Sequence, residues 1–268
     1  IIATHTFGYP QDIDRLELMV KQAEKRFGHK IWLINDCCHA FGAEWNGKLI
    51  GSSGDVSIYA FNISKMITSI FGGMLTFHDK DLANKVRKWR DENFVKAGIM
   101  KKIKRIIYLI AVYTAFSKFI YRLTWWLQYK TNILDRFTKA YHLDEKIHFP
   151  PDYLDKMLNI EAAVGLVQLK KYPGIIKNRI NKAKKYDSSL SRREKWKFPP
   201  IIEGATYSHY VVLVPNKEKI IDEYASKGEH LGELIQYVIP LLTCYKKDSN
   251  RINYPNALRA SKEAINFN

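Results

Sequence analysis

"INDCCHAFGAEWNGKLIGSSGDVSIYAFNISKMITSIFGGMLTF" (residues 34–77) contains three short apolar runs separated by polar punctuation. Runs of this length, bounded by Gly, Ser, Asn and Asp, read as buried strands rather than helices. Each run lies beside a residue that can do chemistry. Asp36 closes the first, Lys65 follows the second and Gly72–Gly73 opens the third. Upstream, Ile1–Ile2–Ala3 reads as the tail of another strand, and "GYPQDIDRLELMVKQAEKRFGHK" supplies a turn and then a helix with Ile13, Leu16, Met19, Val20, Ala23 and Phe27 at helical spacing. Downstream, "KDLANKVRKWRDENF" is a basic helix. Strands alternating with helices predict an α/β domain with a largely parallel sheet.

Further along, "DYLDKMLNIEAAVGLVQLKKY" and "GIIKNRINKAKKYDSSL" read as two helices, "YSHYVVLVP" as a strand and "KEKIIDEYASKG" as a helix, together a smaller α/β domain. Between the two lies "KKIKRIIYLIAVYTAFSKFIYRLTWWLQYKTNIL" (101–134), with seven basic residues and no acid. The expected organisation is therefore a large domain over 1–100, a basic aromatic helical insertion over 101–150 and a C-terminal small domain over 151–268. The chain opens inside a strand-like run and closes inside a pattern, so a longer parent protein is expected.

At 268 residues and 46% hydrophobic content the chain is globular and can bury a substantial core. Its net charge of +16 favours anionic partners: phosphorylated small molecules, acidic membrane surfaces or nucleic acid. No recognised nucleic-acid module accompanies the charge, so nucleic acid is not expected. Cys37, Cys38 and Cys244 have no metal-like spacing, and an odd count with two adjacent residues is a poor disulfide framework, which points to a reducing compartment.

Open α/β sheets bind ligands at the carboxyl ends of their strands, where Asp36 and Lys65 are both expected. An acid and an amine in one partly desolvated site perturb each other's ionisation and can hold a charged heterocycle. A lysine there can bond covalently to a carbonyl, as in pyridoxal-phosphate enzymes. The same two residues also fit a helix-capping acid and a solvated lysine. Residue chemistry alone leaves both readings open.

"HTFGYPQDID", residues 34–65, "FGGMLTF" and "MLNIEAAVGLVQLKKYPGIIKNRINKAKKYDSSL" occur in an order that resembles the DegT/StrS-type sugar aminotransferases, pyridoxal-phosphate enzymes of fold-type I, the aspartate aminotransferase-like class. The resemblance covers nearly the whole chain apart from about 101–150. It implies that Lys65 is the Schiff-base lysine and catalytic base, that Asp36 pairs with the pyridine nitrogen, and that His39 sits beside the cofactor ring. Gly72 and Gly73 match paired glycines where backbone approaches closely. His5 matches a family histidine near a strand end, expected to be structural. Pyridoxal 5′-phosphate is the implied cofactor. A keto-sugar nucleotide is the implied substrate, glutamate the donor, and cell-surface polysaccharide or amino-sugar biosynthesis the setting. A cytoplasmic homodimer is implied as the working unit.

The chain also departs from the family pattern. The serine usually found five residues before the lysine, a donor to the cofactor phosphate, is Ala60 here. Ile70–Phe71 replaces the Gly-Glu pair before the twin glycines. The N-terminal portion that carries the family's phosphate loop is absent. These departures admit a catalytically degenerate remnant that acts as a binding or membrane-associated protein. A sugar dehydratase of the same cofactor family would carry His at the Lys65 position. The 101–130 segment fits an interfacial helix at an anionic membrane, with Trp125–Trp126 near one end, or a helix covering protein. On a helical wheel Lys104, Ala111, Ala115, Lys118 and Arg122 share one stripe, with Leu109, Tyr113, Phe116, Ile120, Leu123 and Leu127 opposite.

Overall fold

Three apolar runs and the strand-like start of the chain form one four-stranded sheet, in the order β1 (Ile2–Thr4), β2 (Ile34–Asp36), β5 (Val56–Ala60) and β6 (Gly73–Phe77). The first three are parallel, with Ile2, Ile34 and Val56 in register, and β6 runs antiparallel to β5. Between β2 and β5, β3 (Glu44–Trp45) and β4 (Lys48–Leu49) form a hairpin. Its turn is Asn46–Gly47, both at positive φ, the pairing a two-residue hairpin favours. This hairpin was not anticipated from the sequence. The computed structural model describes residues 1–115, 117, 120, 149, 152–190, 193–229, 231–242, 245 and 253–267.

Helix α1 (Ile13–Phe27) follows β1. The Asp12 side chain accepts a hydrogen bond from the Arg15 N–H at 2.9 Å, and Gly28 ends the helix in the left-handed region at φ 70°. Its inward stripe is narrower than its apolar pattern suggested. Ile13 and Val20 are buried and Leu16 half-buried, whereas Met19 and Phe27 are exposed. Ile13 joins Cys37, Ala40, Ala43 and Ile50 in one core, and Val20 packs with Ala3 and Leu33 in another.

Helix α2 (Lys80–Asn93) and helix α3 (Ile99–Ala115) come next in the chain. Helix α4 (Asn159–Leu190) then runs as one 32-residue element through Pro173, where two helices were expected. Residues 152–158 are turn and extended chain instead of its first turns. Proline removes one backbone donor within a helix, and packing on both sides offsets that loss. Tyr172, just before the proline, donates its hydroxyl to the Phe41 carbonyl, while Ala183 and Leu190 are buried in a second core. That core lies on the antiparallel pair β7 (Tyr210–Leu213) and β8 (Ala264–Phe267), with α5 (Lys217–Ser226) and α6 (Pro255–Glu263) beside it. Strand β8 and α6 were not anticipated, the first because its partner strand lies some fifty residues upstream.

Two compact units result, one of 1–89, 159–238 and 253–268, the other of 90–158 and 239–252. In the second, Val95 bridges Asp155, and Lys101 pairs with Asp152 at 2.8 Å and Asp155 at 2.6 Å. On α3 the predicted wheel is split: Leu109 is half-buried and Tyr113 is 84% exposed. Phe116, Lys118, Arg122, Leu123, Trp125–Trp126 and Leu127, and also Cys244, lie outside the described residues.

A buried polar group fixes the sheet where it matters for function. Asn35 is fully buried on β2. Its amide nitrogen donates to the Ser53 carbonyl at 2.7 Å, and its oxygen accepts from His5 Nε2 at 3.2 Å. The Gln11 N–H donates to His5 Nδ1 at 3.0 Å, which assigns the ring proton to Nε2 and makes His5 a neutral structural residue. Asn35→Ala strands these buried groups and opens a void. It is expected to lower the unfolding free energy by about 2–4 kcal/mol. Urea denaturation of the two proteins measures this, and an unchanged midpoint would contradict it.

Candidate active site

Residues from the carboxyl ends of two parallel strands, β2 and β5, meet the loop that leads into β7. Cys38 and His39 follow β2, and Ala60 closes β5. Lys65 and Met66 lie in the next loop, and Ser208 and His209 precede β7. Together with Phe41 and Ile67 they line a small solvent-open cleft.

Local hydrogen bonds shape each arm. Asp36 ends β2 and accepts the Cys38 N–H through Oδ1 at 3.0 Å, where the chain brings Cys38 and His39 to the cleft while Cys37 is buried in the core. The loop carrying Lys65 is closed at its base by Phe61 N–H to the Gly72 carbonyl at 2.8 Å and Ser69 N–H to the Phe61 carbonyl at 2.9 Å. Within it, the Lys65 N–H donates to the Asn62 carbonyl at 3.0 Å. A side chain at Gly73 would stand 2.8 Å from the Tyr59 carbonyl oxygen, so the expected close backbone approach is present.

His209 arrives by a backbone splice. Gly8, at φ 88°, accepts the Thr206 N–H through its carbonyl at 2.9 Å, and a Cβ there would fall 2.7 Å from Ser208 N. His39, Phe7 and His209 then form a ring cluster. Phe7 and His39 are stacked with centroids 6.1 Å apart, and His39 and His209 lie 5.1 Å apart. The Phe7 N–H points to His39 Nδ1 at 3.5 Å.

Burial sets the ionisation of the group. It lowers the Lys65 amine below the ordinary lysine value, against the opposing pull of Cys38 and Asp36. His39 is lowered by burial and by Lys65. His209 is pushed down to about 4 by burial, with His39, Arg179 and Lys65 adding to it. The Cys38 thiol is pushed up to about 12, by burial first and then by Asp36. The cleft thus presents an amine biased towards its neutral form, a carboxylate near it and two neutral imidazoles.

A family model described as the DegT/DnrJ/EryC1/StrS aminotransferase family matches residues 1–268. The chain belongs to this family. Among curated relatives, an uncharacterized protein of Methanocaldococcus jannaschii, MJ1066, is 25% identical over 96% of the chain and 58% of its own length. GDP-perosamine synthase of Escherichia coli O157:H7 is 37% identical over 31% of the chain and 21% of its own length. The sugar aminotransferase CalS13 from Micromonospora echinospora superposes with a TM-score of 0.70 at 19% identity, covering 100% of the chain and 61% of CalS13. The fold is that of the fold-type I pyridoxal-phosphate transferases. The chain spans about 60% of the length of the relatives it matches end to end.

Pyridoxal phosphate is the cofactor of DegT/StrS aminotransferases, and one further solved protein of this fold is known in PLP and PMP forms. The donor set fits its ring end: a desolvated primary amine suits an aldehyde, and Asp36 suits a protonated pyridine nitrogen. Ala60 offers no hydroxyl to a phosphate in the cleft it lines.

Asp36 lies near enough to both His39 and Lys65 to oppose the lowering of each. His5 stands apart in the buried Asn35 network. Sequence reasoning missed His209 and Phe41. A lone histidine before a strand carries no distinguishing pattern, and the Tyr172–Phe41 link joins residues that lie 131 apart.

His209 gives the fold a pH dependence. Its ordinary value is 6.5 and its folded value about 4, so between these pH values the unfolded chain takes up a proton that the folded chain refuses. Stability is therefore fully present above about pH 6.5 and falls as the pH drops towards 4, with His5 and His39 shifted the same way. The expected loss from His209 is up to about 3 kcal/mol. Denaturation midpoints between pH 7 and pH 4 should fall less steeply in His209→Gln than in the wild type.

Proposed function

We propose that the whole protein is a pyridoxal-phosphate-dependent aminotransferase that acts on a keto-sugar nucleotide, with an amino acid, glutamate by family resemblance, as donor. The placement of Lys65 in the cleft, within electrostatic reach of Asp36, on a chain of an aminotransferase family, supports this assignment. The reading extends to a cytoplasmic homodimer engaged in amino-sugar or cell-surface polysaccharide synthesis. The surplus of basic residues suits a diphosphate-bearing substrate.

When bound, the cofactor supplies an electron sink for the carbon that exchanges its amino group. Lys65 is the residue that would hold it, through an amine whose hold on its proton burial weakens. The same amine, once free, is placed to move a proton at the reacting carbon. Asp36 would hold the pyridine nitrogen protonated. His39, fixed against Phe7 and neutral, would form one wall of the ring site without adding a positive charge there. The presence of Lys65, where a dehydratase of this cofactor class would carry histidine, favours amino transfer over dehydration.

Borohydride treatment of the protein with pyridoxal phosphate, followed by peptide mass mapping, is expected to place the pyridoxyl group on the peptide containing Lys65. Attachment elsewhere would refute the assignment. Lys65→Ala should lower transamination by roughly 10³-fold or more, the loss expected when a general acid–base group is removed. Ala60→Ser restores a donor in the cleft. Absorbance titration should show cofactor affinity rising by about tenfold or more, as a charge-assisted hydrogen bond to phosphate allows.

A further inference from the structure

Helix α3 turns its faces the opposite way from an ordinary surface helix. Its half-buried positions are 101, 105, 108, 109, 112 and 115, a single stripe at helical spacing. That inward stripe begins with a cation, Lys101, held by Asp152 and Asp155. The outward stripe is rich in isoleucine: Ile99 is 75% exposed, Ile107 60% and Ile110 63%, with Ile103 and Ile106 also exposed. A helix of a water-facing surface places its charges outward and its isoleucines inward. Lys102 and Lys104 are exposed and border the isoleucine stripe on its two sides.

The chemistry of this face selects its occupant. An apolar stripe bordered by cations, in a stretch of sequence (101–134) with seven basic residues and no acid, complements the headgroup region of an anionic bilayer. Among the described residues no helix is long and apolar enough to cross a membrane, so α3 would lie along the surface. Tyr113, on the same face, has the amphipathic ring favoured at that depth. We infer that the isoleucine face of α3 docks flat onto bilayers containing anionic lipid.

Co-sedimentation of the full chain with phosphatidylcholine vesicles, with and without phosphatidylserine, tests this. Binding is expected only with phosphatidylserine and should weaken as salt is raised. Each cation near such a surface is worth roughly fivefold in affinity, so Lys102→Glu/Lys104→Glu should weaken binding at least about 25-fold. Ile106→Ser/Ile110→Ser should weaken it about tenfold or more at low salt, with an unchanged circular dichroism spectrum in both variants. Recovery in the supernatant at low salt, or vesicle binding that neither variant weakens, would overturn the inference. So would light scattering that shows self-association of the wild type, lost in Ile106→Ser/Ile110→Ser, without vesicle binding. Pyridoxyl attachment to Lys65 is independent of every one of these outcomes.

Discussion

The Asn35 side chain sits between the carboxyl end of β1 and the turn at Ile50–Ser52, and its hydrogen bonds tie together stretches of chain that are otherwise far apart. A buried amide has no water to fall back on, so its partners must arrive together or the whole set is lost. His5 answers it from just beyond the end of β1, and Ser53 from the chain entering β5. Asp36 is the next residue along. The register that satisfies Asn35 therefore also fixes where β2 stops and where the carboxylate projects. A slip of one residue would turn Asn35 outward and Asp36 inward.

Helix α4 extends this constraint to the second sheet of the same unit. Its first half reaches the loops at the strand ends, through Tyr172 at Phe41 and Gly165 beside Ser69, and its second half lies in the core under β7 and β8. His209 enters the cleft from the chain leading into β7, so its distance from His39 depends on a helix that spans both regions. The Gly8 splice sets the same distance locally. Two independent constraints converge on one imidazole, which is consistent with its strong desolvation.

Much of this was readable from residue patterns, because local rules governed it. Asp12 and Gly28 cap α1 as their residue types predict, and the apolar runs ending at Asp36 and Ala60 became strands. Asp36, His39 and Lys65 were singled out from strand ends and family resemblance. What escaped was decided by contacts distant in sequence. Pro173 breaks an isolated helix, but packing on both flanks carries α4 past it. Met19 and Phe27 sit at helical spacing yet face water, because only Ile13, Leu16 and Val20 find a surface to cover. Strand β8 has little pattern of its own and exists by pairing with β7. The Asn46–Gly47 hairpin was the exception, a local signal that was present and unread.

The two titration shifts at the cleft have a joint consequence for selectivity. In water a cysteine ionises before a lysine and is the stronger competitor for a carbonyl or other electrophile. Here burial raises the Cys38 thiol to about 12 while lowering the Lys65 amine from 10.5, so the usual order of reactivity is inverted between two neighbours. As the pH rises, the amine gives up its proton before the thiol does. Chemical choice between them is made by dielectric environment, without any need to remove the cysteine.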